Sequence, residues 1–161
     1  MIIERKLVKH FTIGELSFDL AINRKMAIDG FKAYPQYWEL INKSDTLKKA
    51  INDKGEVKTD NLNVAEMIEV TSQLEEYSYE IATYLLPKML EYAETNGNSD
   101  KQEYADKIIE YCNEYECLLD YVDEDTDETV KGFISLAMEF VLQGFTSGGE
   151  KKKSKVKIVM N

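Results

Sequence analysis

Few residues of this chain belong to the types that carry out catalysis or bind metals. His10 is the only histidine, and Cys112 and Cys117 are the only thiols. A histidine that acts as a general base needs a nucleophile nearby and a residue that orients its ring, and the sequence identifies neither for His10. A structural zinc site needs roughly four Cys or His ligands, more than the chain holds. The sequence therefore predicts no catalytic residue, no zinc site, and a surface or strand-edge position for His10.

The densest acidic run, 123–128, begins like a calcium-binding EF-hand loop. Its Asp-x-Asp-x-Asp start matches the first ligands of such a loop. The sixth position should be glycine and is Glu128, and the twelfth should be a bidentate glutamate and is Ile134. We interpret the run as a loop that also supplies the negative first turn of a helix, where acidic residues suit the helix dipole.

Glutamates one turn apart offer a second route to metal chemistry. Glu66 and Glu69, with the Glu75-Glu76 pair, supply residues of the kind that hold Mg²⁺ in helical nucleotide pyrophosphohydrolases. No matching acidic set stands out on another predicted helix, and phosphate-binding glycine loops and nucleophile elbows are missing. We predict no metal, no cofactor and no enzymatic activity, and keep a Mg²⁺-dependent hydrolase as the less favoured alternative.

Composition and charge describe one acidic domain. The chain has 161 residues, of which 43% are hydrophobic, enough for a single buried core. It lacks a run of about 18 apolar residues and a secretion signal, which predicts a cytoplasmic protein. Its net charge is −10, although five of the 20 basic residues lie within residues 150–161. An acidic body argues against binding nucleic acid, and the missing apolar run argues against insertion into a membrane.

The N-terminal part alternates apolar and polar residues, as half-buried strands do. Alternation over Lys6–Lys9 and Leu16–Leu20, with Gly14 between them, predicts a small β-hairpin within residues 1–22. Asn23 is a good N-cap for a helix over residues 24–33. Pro35 ends that helix, and a second helix follows over residues 36–43. A further turn or two over residues 44–50 and a loop over residues 52–61 complete this part.

The rest of the chain has the 3.6-residue period of amphipathic helices. A capping box at Asn63 opens a long helix to about Glu94, which Pro87 should kink or split near Thr83. A capping box at Ser99 opens another, whose buried face would extend to Tyr115, Leu119 and Val122. The last helix follows the acidic run and has Gly144 as its C′ residue. The predicted fold is mainly α, a single domain over residues 1–146 with about five helices, the N-terminal hairpin and a disordered Gly/Lys-rich tail over residues 147–161.

The two cysteines fall five residues apart within a predicted helix. That spacing turns them about 140° apart around the helix axis, so the thiols should point in different directions. We expect both to be reduced and packed.

Tyrosine clustering is the clearest positive signal for an interaction surface. Eight of the ten tyrosines lie between Tyr77 and Tyr121, on the two most regular helices. Tyrosine is favoured at interfaces because it combines a large contact area with a polar tip. The alternative is that these side chains rim the core with their hydroxyls in water. The predicted partner-binding residues are Tyr77, Tyr84, Tyr104, Tyr111 and Tyr115.

Several features together resemble a known family. A short stranded segment leads through Phe18–Met26 into a helical body, and Tyr104–Cys112 follows in a later helix. This layout is similar to the tail assembly chaperones of long-tailed phages of Gram-positive bacteria, over most of the chain and with a loose local match at residues 104–122. The resemblance implies binding and solubilisation of the tape measure protein, contact with the tail tube protein, a place in the host cytoplasm and absence from the finished virion.

The resemblance also implies a role for the lysine run at residues 151–153. Genes of that family often contain a slippery stretch at which ribosomes change frame, and the codons of Glu150–Lys153 could be a run of adenines. A solubilising lysine tail is the simpler interpretation. A bacterial regulatory protein of antitoxin or anti-repressor type remains an alternative to the whole phage interpretation, and neighbouring genes would separate the two. Homo-oligomerisation stays open.

Overall fold

The computed structural model describes residues 5–43, 64–94, 100–146 and 154–158. Within these ranges five helices contain 62% of the residues, so the mainly α class is confirmed. The helices are α1 (Arg24–Ala33), α2 (Gln36–Lys43), α3 (Val64–Tyr92), α4 (Lys101–Glu114) and α5 (Phe133–Thr146), and the strands are β1 (Leu7–Ile13), β2 (Leu16–Ile22), β3 (Tyr121–Val122), β4 (Thr129–Val130) and β5 (Ser154–Ile158).

The predicted N-terminal hairpin is confirmed. Strands β1 and β2 pair antiparallel from Leu7↔Ile22 to Ile13↔Leu16, which leaves a two-residue turn at Gly14-Glu15. Gly14 has φ 57°, a conformation that glycine adopts without strain. Because side chains alternate between the faces of a strand, one face of the hairpin is buried and the other is open. The buried face includes Leu7, Phe11, Ile13, Phe18, Leu20 and Ile22.

A third strand joins the hairpin from the far end of the chain. Strand β5 pairs parallel to β1, from Lys9↔Ser154 to Ile13↔Ile158, and the sheet order is β2-β1-β5. The predicted disorder of the tail therefore does not hold for residues 154–158, while residues 147–153 and 159–161 lie outside the described ranges. The segment Ser-Lys-Val-Lys-Ile alternates polar and apolar residues, which favours a strand beside an open sheet edge.

The first two helices have the predicted bounds. Asn23 caps α1, its side-chain oxygen accepting a hydrogen bond from the Met26 backbone N–H at 2.8 Å. Pro35 separates α1 from α2, because proline disfavours helical geometry in the residue before it. The predicted turns at 44–50, the loop at 52–61 and the Asn63 cap lie outside the described residues.

Helix α3 runs without a break through Pro87, so a split near Thr83 is wrong, and the alternative of a kink there stays a prediction. Proline has no N–H for the Thr83 carbonyl, but the residues around it are fixed by packing. Leu85, Leu86, Met89 and Leu90 are almost fully buried. Packing therefore outweighs the lost hydrogen bond.

Helix α4 differs from its prediction at both ends. Its N-cap is Asp100, one residue after the predicted Ser99, and the Asp100 carboxylate accepts from the N–H groups of Gln102 and Glu103. The helix ends at Glu114. Glu116 then adopts φ 56°, and the Cys117 N–H donates to the Cys112 carbonyl at 2.9 Å, which is a Schellman ending.

This early end exposes residues that were predicted to be buried. Tyr115, Leu119 and Val122 lie beyond α4, with exposed fractions of 50%, 48% and 57%. The chain continues into the β3–β4 pair, and the acidic run is the turn between those two strands. It does not open a helix, since α5 begins at Phe133 and has no acidic residue in its first turn.

Gly144 lies within α5 and not after it, which corrects its predicted role as the C′ residue. A Cβ atom at Gly144 would lie 2.8 Å from the Ile22 Cγ2 atom, closer than carbon atoms can pack. The glycine lets α5 approach β2.

The core lies between the hairpin, α1, the C-terminal half of α3, and α5. The Phe11 and Phe18 rings stack with their centroids 5.6 Å apart, and Phe133 meets both edge-on. Lys9 is the one charged residue on the buried face among those described, and its ammonium lies 5.9 Å from the centre of the Phe140 ring. None of the described helices has the length and apolar character needed to cross a membrane.

Candidate functional site: a groove between two helices and a loop

A groove of about 460 Å³ lies between α3, α4 and the loop that follows α4. The loop that follows α4 closes one end of it. Its apolar surface comes from Tyr79, Ile109, Leu118 and Leu119. We call this feature the α3–α4 groove, and the residues that line it are Ser72, Glu75, Glu76, Tyr79, Ile109, Glu110, Asn113, Leu118 and Leu119.

The loop wall is fixed by the start of α5. The first N–H groups of a helix lack partners within the helix, and two of them are satisfied here by the loop. The N–H groups of Phe133 and Ile134 donate to the carbonyls of Cys117 and Leu118 at 2.8 and 3.0 Å. These two hydrogen bonds fix the backbone of the loop, and the next residue, Leu119, is thereby held at the groove.

Gly132 also holds this loop wall in position, through a hydrogen bond and a close packing contact. Its N–H donates to the Asp120 carboxylate at 2.7 Å. A Cβ atom at Gly132 would lie 2.4 Å from the Leu119 carbonyl carbon, so only glycine fits without moving the loop. The loop wall is therefore held against the start of α5 by both hydrogen bonds and close packing.

The opposite wall is the N-terminal half of α3. Ser72, Glu76 and Tyr79 lie along one side of this helix, and Ile68 lies one turn before Ser72 on the same side. Ile68 is 59% exposed and Tyr79 is 38% exposed. This half of α3 carries apolar side chains that the described part of the fold does not cover.

The five predicted partner-binding tyrosines are not gathered at the groove. Tyr84 faces α1, where its ring meets Tyr34 edge-on at 5.7 Å. Tyr104 packs against the core, its ring 6.3 Å from Phe18, and burial raises its pKa. Tyr77 is half-buried on α3. These three tyrosines lie apart from the groove lining.

Tyr111 and Tyr115 do lie together, their ring centroids 4.6 Å apart. The Tyr111 hydroxyl accepts a hydrogen bond from the Glu15 backbone N–H, so it ties α4 to the hairpin turn. Tyr79 was not among the five predicted residues, yet it lines the groove. Tyr79 follows Tyr77 by two residues, a rotation of about 200° around the helix axis. Tyr79 therefore lies on the groove side of α3 and Tyr77 on the opposite side.

His10 has the partners that the sequence did not identify. Its Nδ1 atom lies 2.7 Å from the Asp19 carboxylate, and its Nε2 atom lies 2.8 Å from the Ser17 hydroxyl. A ring with its proton on Nδ1 donates to Asp19 and accepts from Ser17. The contacts follow the order of a Ser–His–Asp triad. However, these residues lie on the open face of the hairpin and line neither groove described here, so we assign them to cross-strand pairing.

The two thiols lie together, which corrects the prediction that they diverge. The Schellman ending folds Cys117 back over Cys112, and their side chains are hydrogen-bonded. Both cysteines are buried and free. Burial raises the pKa of each thiol, and for Cys112 the neighbouring thiol raises it further.

A second groove, of about 410 Å³, lies beside α1 and α2. Its floor is aromatic, and the Phe31, Trp38 and Phe145 rings that form it are packed against one another. These rings belong to the core or its edge. The α3–α4 groove differs in two respects: its Tyr79 and Leu119 side chains are 38% and 48% exposed, and three glutamates line it with no basic residue, whereas the second groove has Glu39 and Lys32.

Within the described ranges, no three His, Cys, Asp or Glu side chains are grouped closely enough to hold a metal ion. The Glu66 side chain lies outside the described residues, so the Glu66–Glu69 pair of the hydrolase alternative is not placed. Comparisons with known protein families, with curated proteins and with solved structures found no match for this chain.

Proposed function

We propose that this protein is a tail assembly chaperone, which binds the tape measure protein and keeps it soluble while a phage tail assembles. The observation that carries the proposal is the α3–α4 groove, an apolar surface between two helices. Partly exposed apolar grooves of this form accept the apolar face of an amphipathic helix. A long helical partner with exposed apolar faces would otherwise aggregate.

Charge and the sequence resemblance support the same proposal. The chain carries a net charge of −10, and like charges keep coated assemblies apart in solution. The layout of the sequence resembles the tail assembly chaperones. No observation of the fold favours the antitoxin, anti-repressor or hydrolase alternatives over this one.

Co-expression with a fragment of a tape measure protein tests the proposal. The fragment is a predicted helical segment of a tape measure protein from a long-tailed phage of Gram-positive bacteria. We expect the fragment to move from the pellet to the supernatant and to co-purify with this protein. A fragment that stays as insoluble with the protein as without it would refute the chaperone function.

A matched pair of variants tests whether the groove is responsible. Leu119→Asp places a charge on the apolar wall, and we expect it to abolish solubilisation. Leu119 is 48% exposed, so the core should tolerate the change. Val122→Asp is the control, because Val122 is 57% exposed and does not line the groove. Equal effects of the two variants would mean that the groove is not the binding surface.

A further inference from the structure

The α3–α4 groove combines an apolar floor with a rim of one charge sign. Glu75 and Glu76 from α3 and Glu110 from α4 all line the groove. Within the described part of the chain these three carboxylates form no ion pair. The lining contains no lysine or arginine. The rim therefore has three negative charges without an internal counter-charge.

The absence of basic residues continues in the sequence well beyond the residues that line the groove. No lysine or arginine occurs between Lys58 and Lys88, the stretch that contains the groove half of α3. None occurs between Lys107 and Lys131, a stretch that contains the C-terminal half of α4 and the whole loop wall. Both segments contain several Asp and Glu residues. These two stretches are the longest in the sequence without a lysine or arginine, and both contribute walls to the groove.

We infer that the groove selects cationic amphipathic helices, with apolar side chains in the floor and lysine or arginine beside the three rim glutamates. This inference rests on the proposed helix-binding function and specifies its partner. The lining of α3 runs from Ser72 to Tyr79, about 10 Å at 1.5 Å per residue. Two turns of a bound helix match that length, so its apolar residues would be spaced i, i+3 or i+4, and i+7.

A second copy of this chain fits the groove less well. Its described surfaces include the same acidic walls, and two negative surfaces repel when they meet. A nucleic acid or an anionic membrane would be repelled for the same reason. A cationic helix is the partner whose charge complements the rim.

Three synthetic helical peptides test the inference. All would have the same leucine face at i, i+4 and i+7, flanked by lysine in the first, glutamine in the second and glutamate in the third. Binding to the full-length protein is measured by fluorescence anisotropy at low salt and at 0.5 M salt. We expect the lysine peptide to bind about tenfold more tightly than the glutamine peptide at low salt, since three exposed charge pairs of a few tenths of a kcal/mol combine to about that factor. High salt should remove most of this difference.

Variants locate the effect at the rim. Replacing Glu75, Glu76 and Glu110 together by glutamine should remove the preference for lysine. The control replaces three exposed acidic residues elsewhere, by Glu15→Gln, Asp29→Asn and Glu91→Gln. It changes the net charge by the same amount, and we expect the tenfold preference to remain. Loss of the preference in both triple variants would show that net charge, and not the groove, attracts the peptide.

The outcomes separate this inference from the proposed function. Equal binding of all three peptides, with loss of binding in Leu119→Asp, would overturn the charge selectivity and leave the helix-binding groove intact. If the wild-type protein bound none of the peptides, the inference would fail, and the co-expression assay would then decide the chaperone function by itself. A dimer in sedimentation that the glutamine triple variant dissociates would assign the groove to a second copy and overturn the inference.

Discussion

Gly144→Ala tests whether close packing, and not backbone conformation, explains the glycine in α5. Two effects of the change oppose each other. Alanine is favoured over glycine inside a helix by about 0.8–1.0 kcal/mol. The new Cβ atom would lie 2.8 Å from Ile22 Cγ2, and Ile22 is completely buried. Overpacking of this kind costs roughly 1–3 kcal/mol. We therefore expect a net loss of about 1 kcal/mol in the free energy of unfolding.

A double-mutant cycle with Ile22→Ala makes the expectation sharper. Ile22→Ala alone should cost about 2–5 kcal/mol, because it removes buried methyl groups and leaves a cavity. With the isoleucine methyl groups gone, Gly144→Ala should become stabilising by about 1 kcal/mol. The sign change corresponds to a coupling energy of about 2 kcal/mol, which is typical of residues in direct contact.

Urea denaturation followed by far-UV circular dichroism measures all four proteins. An unchanged slope with denaturant would show that the variants unfold from comparable native states. If Gly144→Ala destabilises both backgrounds equally, Ile22 is not its partner and the glycine is required for its backbone conformation, as a C′ residue would be. That result would refute the packing argument.

Three further predictions concern single sites. Asp100→Ala should cost about 1 kcal/mol in unfolding free energy, because two N–H groups at the start of α4 lose their acceptor, whereas Asp100→Asn should cost much less. Cys112 and Cys117 should react slowly with Ellman's reagent at pH 8 in the folded protein and rapidly in urea. The reason is that burial raises the pKa of both side chains and keeps them as unreactive thiols. Fast reaction of the folded protein would contradict their burial. Burial raises the pKa of the Tyr104 hydroxyl above its ordinary value of 10.0. Because the unfolded chain then loses this proton at a lower pH than the folded protein, the free energy of unfolding should fall as the pH rises past about 10. Ultraviolet titration of the wild type and of Tyr104→Phe measures the shift.

The parts of the fold that were predicted correctly have strong local signals. Asn23 and Pro35 fix the ends of α1 because capping and proline geometry act within a few residues. Gly14 marks the hairpin turn. Once Gly14 and Glu15 are placed at that turn, His10 must stand opposite Asp19, so the ring's carboxylate partner could have been predicted from the register.

The errors occur where a long-range contact overrides the local signal. Glu116 adopts a positive φ, which glycine usually supplies, so the end of α4 has no visible marker in the sequence. The loop that follows is held by α5, and its position depends on Gly132 fitting against Leu119. Predicting the α3–α4 groove required both facts.

Closeness in sequence does not place the tyrosines on one surface. The side of the helix on which each one lies decides what it contacts. Tyr104 and Tyr111 lie on the side of α4 that packs against the core, and Ile109 lies on the side that faces the groove. Whether any of the five predicted tyrosines contacts a partner stays a prediction.

The parallel pairing of β5 with β1 affects how the protein forms during synthesis. Residues 9 and 154 are neighbours in the sheet although almost the whole chain separates them. Strand β1 leaves the ribosome long before β5, so one edge of β1 stays unpaired until translation has passed residue 158. During that interval its backbone groups are open to any other strand. A product whose reading frame changed within the lysine run would carry different residues at positions 154–158, and the edge of β1 would pair with whatever strand the new sequence supplied.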